Sequence, residues 1–357
     1  MSFTTQLSLI VLLCFSLLTL IRSESSSLSG REKSTYLSPA ILFANYDKMI
    51  AEFKIYVYAA PKALSPTFTS SPESMFYSNL IRSEFVTRNA EEAHLFFVPF
   101  APDTSTRALA RLVREIRQSF PYWNRSLGAD HFFISRAGID YSSDRNVLEL
   151  KKNSVQISCF PTKSGNFVPH KDITFPPPVD SPIELPHAPE NRTTTFLGYM
   201  KLNKDDKSTW NFIDELVDDQ DFLIESEPSD HKSNINTSKY CIFLYNSDMN
   251  CFVEAIAQGC VPVIIADRPI QDLPLMDVIR WSEIAVVIST RGGVKGMKLV
   301  LSEISEDRLE KMKESAVVAS KNLVWNAAPE PYDAFYMVMY QLWLRRHTIR
   351  YTRREFV

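Results

Sequence analysis

The sequence has little net charge, little glycine and few cysteines. Its formal net charge is −3 over 357 residues, so no basic surface suggests a nucleic-acid partner. Nine glycines and five cysteines are present, and the chain contains no Walker-type phosphate loop, no H-E-x-x-H motif and no paired C-x-x-C motifs. Several enzyme classes that depend on these motifs are therefore excluded.

The composition is that of a globular protein with sizeable cores. Hydrophobic residues make up 45% of the chain and aromatic residues 12%, which argues against a disordered chain. A length of 357 residues is enough for two domains of ordinary size.

The N-terminal segment is strongly apolar. Residues 3–21 contain no charged side chain, and Arg22 ends the run. Two interpretations are open: a short signal-anchor that spans the bilayer, or a signal peptide cleaved near Ser23. We assign residues 1–23 to this segment and the Ser-rich residues 24–40 to a stem or tail. In either case the rest of the chain enters the secretory pathway.

Glycosylation sequons and cysteines agree with a lumenal environment. Apart from Cys14, four cysteines remain, which allow two disulfides with three alternative pairings. Cys241 and Cys260 adjoin predicted strands that can be neighbours in one sheet, although buried thiols are an equally open interpretation. The sequon asparagines are Asn124, Asn191 and Asn236.

Apolar strands alternate with amphipathic helices along the chain, a pattern that predicts parallel sheets wrapped by helices. Residues 41–180 are predicted to form a first α/β domain, which the family resemblance described below assigns to the acceptor side, and a proline-rich linker over 175–189 follows. Residues 190–305 form a second α/β domain, and residues 306–357 are C-terminal helices. The predicted fold class is α/β, with two Rossmann-like doubly wound domains facing a cleft. Strands are predicted at 53–58, 93–100, 131–135, 195–200, 221–225, 240–244, 261–265 and 284–288.

The segment 253–267, V-E-A-I-A-Q-G-C-V-P-V-I-I-A-D, predicts a helix, a tight turn and a buried parallel strand. Glu254, near the helix start, is placed to bind a sugar hydroxyl of a nucleotide; the alternative is that it only complements the helix dipole. Gly259 allows the turn, with the nucleotide nearby. Because ligands bind at the carboxyl ends of strands, Tyr245, Asn246 and Ser247 are also candidates for binding this nucleotide, the sugar donor.

Five motifs in order resemble the plant exostosin-like glycosyltransferases, a family with the two-domain GT-B fold. The segment 253–267 is one, and together they cover roughly residues 40 to 290. The others are F-K-I-Y-V-Y at 53–58, E-E-A-H-L-F-F-V-P-F at 91–100, P-Y-W-N-R-S-L-G-A-D-H-F-F at 121–133 and P-H-K-D-I-T-F-P-P at 169–177.

The resemblance implies an inverting transferase of the Golgi membrane with a lumenal catalytic domain, or a secreted or lumenal form if the N-terminal segment is cleaved. The implied donor is a UDP- or GDP-linked sugar bound by the C-terminal domain. The implied acceptor is a cell-wall or glycoprotein glycan, and other Golgi glycosyltransferases are possible partners. No cofactor or metal is expected, since no clear D-x-D motif occurs in a suitable loop.

The sequence also departs from the family pattern. Met249, Asn250 and Cys251 replace a Ser-Pro-Arg-like triplet whose Arg suits a phosphate, and residues 136–138, Arg-Ala-Gly, replace a Cys-His-Asp triplet. After the strand at 195–200, where Arg is common, the chain offers Lys201 and Lys204, which can hold a phosphate as point charges.

Three further residues are candidates for the cleft. His131 is the candidate base, although a structural histidine is the alternative. His170 and Lys171 are candidates for lining the cleft, and a plain turn is their alternative. Two functions are therefore open: an active glycosyltransferase, or a non-catalytic relative that binds or stabilises an active transferase. An unrelated lumenal carbohydrate-binding protein is a third hypothesis.

Overall fold

The structure is a computed structural model, and it describes residues 35–60, 66–68, 71–163, 165–179, 194–202, 210–225, 231–245, 249 and 251–352. The N-terminal apolar segment, most of the proline-rich linker, Asn191, Lys204, Asn246 and Ser247 lie outside these ranges. Within them, no helix is long and apolar enough to cross a membrane.

The first domain is built on a six-stranded sheet in the order β2-β1-β3-β4-β5-β6, with all neighbours parallel. Because the faces of a parallel sheet are covered by helices, its strands are mostly apolar and buried. β3 and β4 are buried at every position. The strands are β1 (Ile55–Val57), β2 (Val86–Thr87), β3 (Leu95–Phe97), β4 (His131–Ile134), β5 (Val155–Cys159) and β6 (Ile173–Phe175).

The third helix of the first domain forms where the sequence combines a 3.6-residue apolar period with an N-cap serine. In the third helix, the Ser105 side chain accepts from the Ala108 amide, and Leu109, Val113 and Ile116 bury one stripe against the sheet. The helices are α1 (Pro39–Glu52), α2 (Ser71–Arg82), α3 (Thr106–Ser119), α4 (Tyr122–Ser126) and α5 (Arg145–Asn153).

The second domain is built on a five-stranded parallel sheet in the order β11-β10-β9-β7-β8. All five of its strands overlap predicted strands. The strands are β7 (Phe196–Lys201), β8 (Phe222–Glu225), β9 (Ser238–Leu244), β10 (Val261–Ile265) and β11 (Val286–Ile288), and the helices are α6 (Trp210–Val217), α7 (His231–Asn236), α8 (Phe252–Ala257) and α9 (Gly293–Ser302). The prediction of two doubly wound parallel sheets is confirmed.

The two C-terminal helices pack on different domains. α10 (Glu306–Ser320) contacts β10 and α8 of the second domain. α11 (Ala334–Thr352) returns to the first domain, where it contacts β6 and α1. The Trp343 ring meets that of Phe53 at 5.5 Å between centroids. The C-terminal segment therefore completes the core of the first domain as well as that of the second.

Of the two alternatives left open for Cys241 and Cys260, the structure has the disulfide. Cys241 in β9 and Cys260 just before β10 are bonded, because the two strands are direct neighbours. Cys159 and Cys251 remain thiols. Of the sequon residues, Asn124 is exposed on α4 and Asn236, half-buried, is the last residue of α7.

Candidate active site

The two sheets meet at the edges where their strands end, and one buried carboxylate joins them. Asp272, in the loop after β10, is 3% exposed. It accepts hydrogen bonds from the backbone N–H of Thr162 at 2.8 Å and from its hydroxyl at 2.6 Å. Thr162 follows β5 of the first domain. Because charge-assisted bonds in a buried setting are strong, Asp272 fixes the position of one strand edge relative to the other.

Aromatic side chains form the floor beneath this bridge. The ring centroid of Phe160, directly after β5, lies 6.2 Å from that of Tyr245 and 5.7 Å from that of Phe252. Tyr245 follows β9 and Phe252 begins α8. The carboxyl ends of β5 and β9 therefore face each other across a packed apolar contact, which is the arrangement expected of a GT-B cleft.

Tyr245 belongs to this floor and has a structural role. Its hydroxyl donates to Asp272, with oxygen–oxygen distances of 2.7 and 2.8 Å. Burial, together with this hydrogen bond and the carboxylate charge, raises the tyrosine pKa well above its usual range. The Tyr245 hydroxyl is therefore committed to Asp272, and the predicted contact of the Tyr245 ring with the donor stays a prediction.

Glu254 lies in the first turn of α8 and is 4% exposed, so its carboxylate is not in bulk solvent. It is close enough to Tyr199 of β7 to influence that phenol. The pKa of Tyr199 is raised first by burial, then by its hydrogen bond to Glu225, and further by the charges of Glu225, Cys251 and Glu254. Glu254 is thus inside the second domain, between the start of α8 and β7. Its predicted contact with the donor remains a prediction.

Lys201 is the last residue of β7 and its side chain is exposed. The ammonium nitrogen lies 3.8 Å from the Cys251 sulfur, immediately before α8. The lysine therefore extends along the carboxyl edge of the sheet toward the helix that carries Glu254. Of the predicted donor-binding residues with described positions, Lys201 lies at this edge and Glu254 lies in the first turn of the adjacent helix.

Gly259 lies at the opposite edge of the sheet. It has a φ of +72°, and its backbone turns the chain from α8 into the amino end of β10. A Cβ at this position would meet only Val317, at 3.4 Å. Because donors bind at carboxyl ends of strands, the predicted proximity of Gly259 to a nucleotide is not supported. Its role is the left-handed turn.

His131 is fully buried at the amino end of β4. Its Nδ1 lies 2.7 Å from the Asp130 carboxylate and its Nε2 lies 2.9 Å from the Tyr58 hydroxyl. Burial lowers the histidine pKa in spite of the neighbouring Asp130 charge, so the ring is neutral, donates to Asp130 and accepts from Tyr58. The prediction of a base is corrected: no substrate can reach this ring, and the structural alternative holds.

His170 and Lys171 precede β6 and therefore also lie at an amino edge. The Lys171 ammonium donates to the Ser154 carbonyl at 2.6 Å and forms an ion pair with Asp172. Burial lowers the lysine pKa. His170 is exposed with a φ of +64°, as in a turn. The prediction that these residues line the cleft is corrected in favour of a structured turn.

Two acidic residues outside the cleft are engaged in ion pairs with one lysine. Lys298 of α9 binds both Asp219 and Asp221. Among the described residues, no group of three or more histidine, cysteine or acidic side chains could hold a metal ion.

The sequence analysis missed Asp272, Thr162 and Arg268. Arg268 is an exposed residue shortly after β10, and its guanidinium carbon lies 5.1 Å from the centre of the Tyr245 ring. The carboxyl-edge rule that selected Tyr245 would also have selected Arg268. The Asp272–Thr162 contact joins residues 110 positions apart, and no local pattern indicates it.

Comparison with known proteins agrees with this architecture. The Exostosin GT47 domain matches residues 49–302, more than half of the chain. A probable glycosyltransferase of Arabidopsis thaliana is 28% identical, over 88% of this chain and 73% of its own length. A probable β-1,4-xylosyltransferase of the same plant is 25% identical, over 82% of each chain.

Among solved structures, WaaG, a glycosyltransferase of lipopolysaccharide biosynthesis, covers 78% of this chain and 90% of its own, with 10% identity and a TM-score of 0.33. This TM-score is too low to support a functional conclusion. The domain match covers both sheets and excludes an unrelated carbohydrate-binding protein. The chain belongs to the exostosin GT47 family of glycosyltransferases.

Proposed function

We propose that this protein transfers a sugar from a nucleotide-sugar donor to a cell-wall polysaccharide or a glycoprotein glycan in the Golgi, with inversion at the anomeric carbon. The observation that carries the proposal is the position of Lys201. Its ammonium group lies at the carboxyl edge of the second sheet, beside the helix of Glu254. The buried Asp272 bridge brings this edge against the first domain.

Such a transfer has three physical requirements. A base accepts the proton of the acceptor hydroxyl as its oxygen bonds to the anomeric carbon. The bond from that carbon to the phosphate oxygen breaks, and its electron pair leaves with the nucleoside diphosphate. Positive charge stabilises the leaving group, and Lys201 supplies it. Glu254 accepts from the ribose of the donor and so positions it. In this proposal the reaction uses no cofactor and no metal.

The proposed location is the Golgi membrane, with the two domains in the lumen. Apolar residues 3–21 and the sequons support entry into the secretory pathway. The Cys241–Cys260 disulfide adds support, because disulfides persist in oxidising compartments. The relative named as a probable β-1,4-xylosyltransferase supports the transfer of a sugar, and the polysaccharide or glycoprotein acceptor is part of the proposal. Other Golgi transferases are the proposed protein partners.

Calorimetric titration of the purified chain with UDP and GDP tests the proposal, combined with an assay for hydrolysis of the corresponding nucleotide sugars. Lys201→Ala and Glu254→Gln should each lower the affinity for the nucleotide about tenfold or more. The matched controls are Lys295→Ala and Glu303→Gln, which change exposed residues on and just after α9. A wild-type chain that binds neither nucleotide and hydrolyses no nucleotide sugar would overturn the proposal.

The second candidate function is a non-catalytic relative that stabilises an active transferase. The burial of His131 favours it, because the base suggested by the sequence does not reach the cleft. This alternative predicts no sugar transfer in any donor and acceptor combination, and an unchanged partner interaction in the Lys201→Ala variant. Transfer by the isolated chain would exclude it.

A further inference from the structure

Arg268 is anchored beside the carboxyl edge of the second sheet. The preceding residue, Asp267, accepts from the Ser289 hydroxyl at 2.6 Å and from the backbone N–H and hydroxyl of Thr290 at 2.9 and 2.7 Å. These bonds tie the segment after β10 to the segment after β11. The backbone at Arg268 is therefore held in place by the hydrogen bonds of the preceding residue, although the Arg268 side chain is exposed.

The side chain folds back over the site. Its guanidinium carbon lies 5.1 Å from the Tyr245 ring centroid, within cation–π range. One terminal nitrogen lies 3.4 Å from the Tyr245 hydroxyl oxygen. Because that hydroxyl gives its proton to Asp272, the guanidinium is the donor in this contact. The stacking of the Arg268 guanidinium on the Tyr245 ring thus places its positive charge near the carboxyl end of β9.

Lys201 and Arg268 lie on either side of that strand end. β7 and β10 both pair with β9, on opposite sides. With strands about 4.8 Å apart, β7 and β10 are about 10 Å apart. The long side chains of lysine and arginine can both reach a group placed over the end of β9, where Tyr245 forms the floor.

We propose that Arg268 binds the diphosphate of the nucleotide-sugar donor and stabilises it as it leaves; this inference rests on the proposed function. Guanidinium groups bind phosphate oxygens in pairs, whereas Lys201 provides a point charge. As the bond from the anomeric carbon to the phosphate oxygen breaks, the electron pair moves onto that oxygen, and Arg268 neutralises the added charge. Arg268 thereby supplies the guanidinium absent from the segment at Met249 and Cys251.

The test compares nucleoside diphosphates with their monophosphates. Titration calorimetry of the full chain uses UDP, UMP, GDP, GMP, uridine and guanosine as probes. Arg268→Ala should weaken binding of the preferred diphosphate about 10- to 100-fold and the monophosphate and nucleoside much less. Arg268→Lys should recover part of the loss. The matched control is Arg111→Ala, at an exposed position of α3 in the first domain.

The outcomes separate this inference from the proposed function. If the wild type binds a diphosphate and Arg268→Ala binds it equally well, the role of Arg268 is refuted while the proposed function stands. An equal loss for diphosphate, monophosphate and nucleoside also refutes it, because Arg268 then acts on the pocket as a whole. A wild type that binds no diphosphate refutes both. Thermal unfolding of each variant checks the fold, and unchanged midpoints are expected for this exposed residue.

Discussion

Replacement of Asp272 is the most direct test of how the two domains are joined. The wild-type carboxylate is buried and accepts from the Thr162 amide, the Thr162 hydroxyl and the Tyr245 hydroxyl. Asp272→Ala leaves these three donors without an acceptor in a region of low exposure. Each buried donor that loses a charged partner costs about 1–3 kcal/mol. With partial entry of water, we expect a loss of about 3–5 kcal/mol in the free energy of unfolding.

Smaller changes at the same bridge should cause smaller losses in the free energy of unfolding. Asp272→Asn keeps one oxygen acceptor, so the loss should be about 1–2 kcal/mol. Tyr245→Phe removes one of the three donors and should cost about 1 kcal/mol. The control, Asp218→Ala, removes an exposed acid after α6 and should change stability by less than about 0.5 kcal/mol.

Urea denaturation followed by tryptophan fluorescence and by far-ultraviolet circular dichroism measures these values, with the disulfide intact. Non-coincident transitions in Asp272→Ala would show that the two domains unfold separately once the bridge is lost. If Asp272→Ala is no less stable than Asp218→Ala, the carboxylate does not join the domains and the described cleft floor is incorrect.

Three further predictions concern positions away from the donor. Gly259→Ala should cost about 1 kcal/mol because of its φ of +72°, whereas Gly296→Ala, in α9 with open space around it, should be neutral or stabilising; equal thermal midpoints would contradict this. The paired Cys241→Ser and Cys260→Ser change should cost about 3 kcal/mol, and reductant should destabilise the wild type but not the variant. Burial lowers the His131 pKa from its usual value, so the unfolded chain takes up a proton more readily than the native chain as the pH falls below about 6.5, and the wild type loses stability as the pH falls. His131→Gln should show a flatter pH dependence with unchanged nucleotide affinity, and the same slope in both proteins would contradict the assignment.

Strands of the two sheets were predictable where an apolar run marked them. β3 and β10 are apolar and buried at every position, and β4 and β9 contain apolar runs at residues 132–134 and 240–244. β5 was not predicted, because Gln156 and Ser158 interrupt the apolar run. Both side chains are buried, and Gln156 donates to the Ser158 hydroxyl at 2.8 Å. The cost of their burial is offset by a partner that the sequence does not reveal.

Site residues could be predicted from the sequence only by the rule that ligands bind at the carboxyl ends of parallel strands. Lys201 was selected because it comes at the end of a strand, and Glu254 because it lies near the start of the helix that follows a strand. His131 and Gly259 precede their strands, so the same rule places them at the amino edges, where the structure has them. The Asp272 bridge depends on a contact between domains, and its partners cannot be inferred from spacing.

A second connection between the domains limits how they can move. The Arg345 guanidinium on α11 donates to the Asp277 carboxylate at 2.7 Å, and Asp277 belongs to the loop between β10 and β11. The same side chain donates to the Lys171 carbonyl at 3.1 Å, just before β6 of the first domain. This connection is at the amino end of β6, whereas the Asp272 bridge is beside the carboxyl end of β5. A rotation that opened the cleft would have to break the Asp272 bridge or pivot about it. These contacts restrict the relative motion of the two edges, which reduces the ordering that donor binding itself must supply.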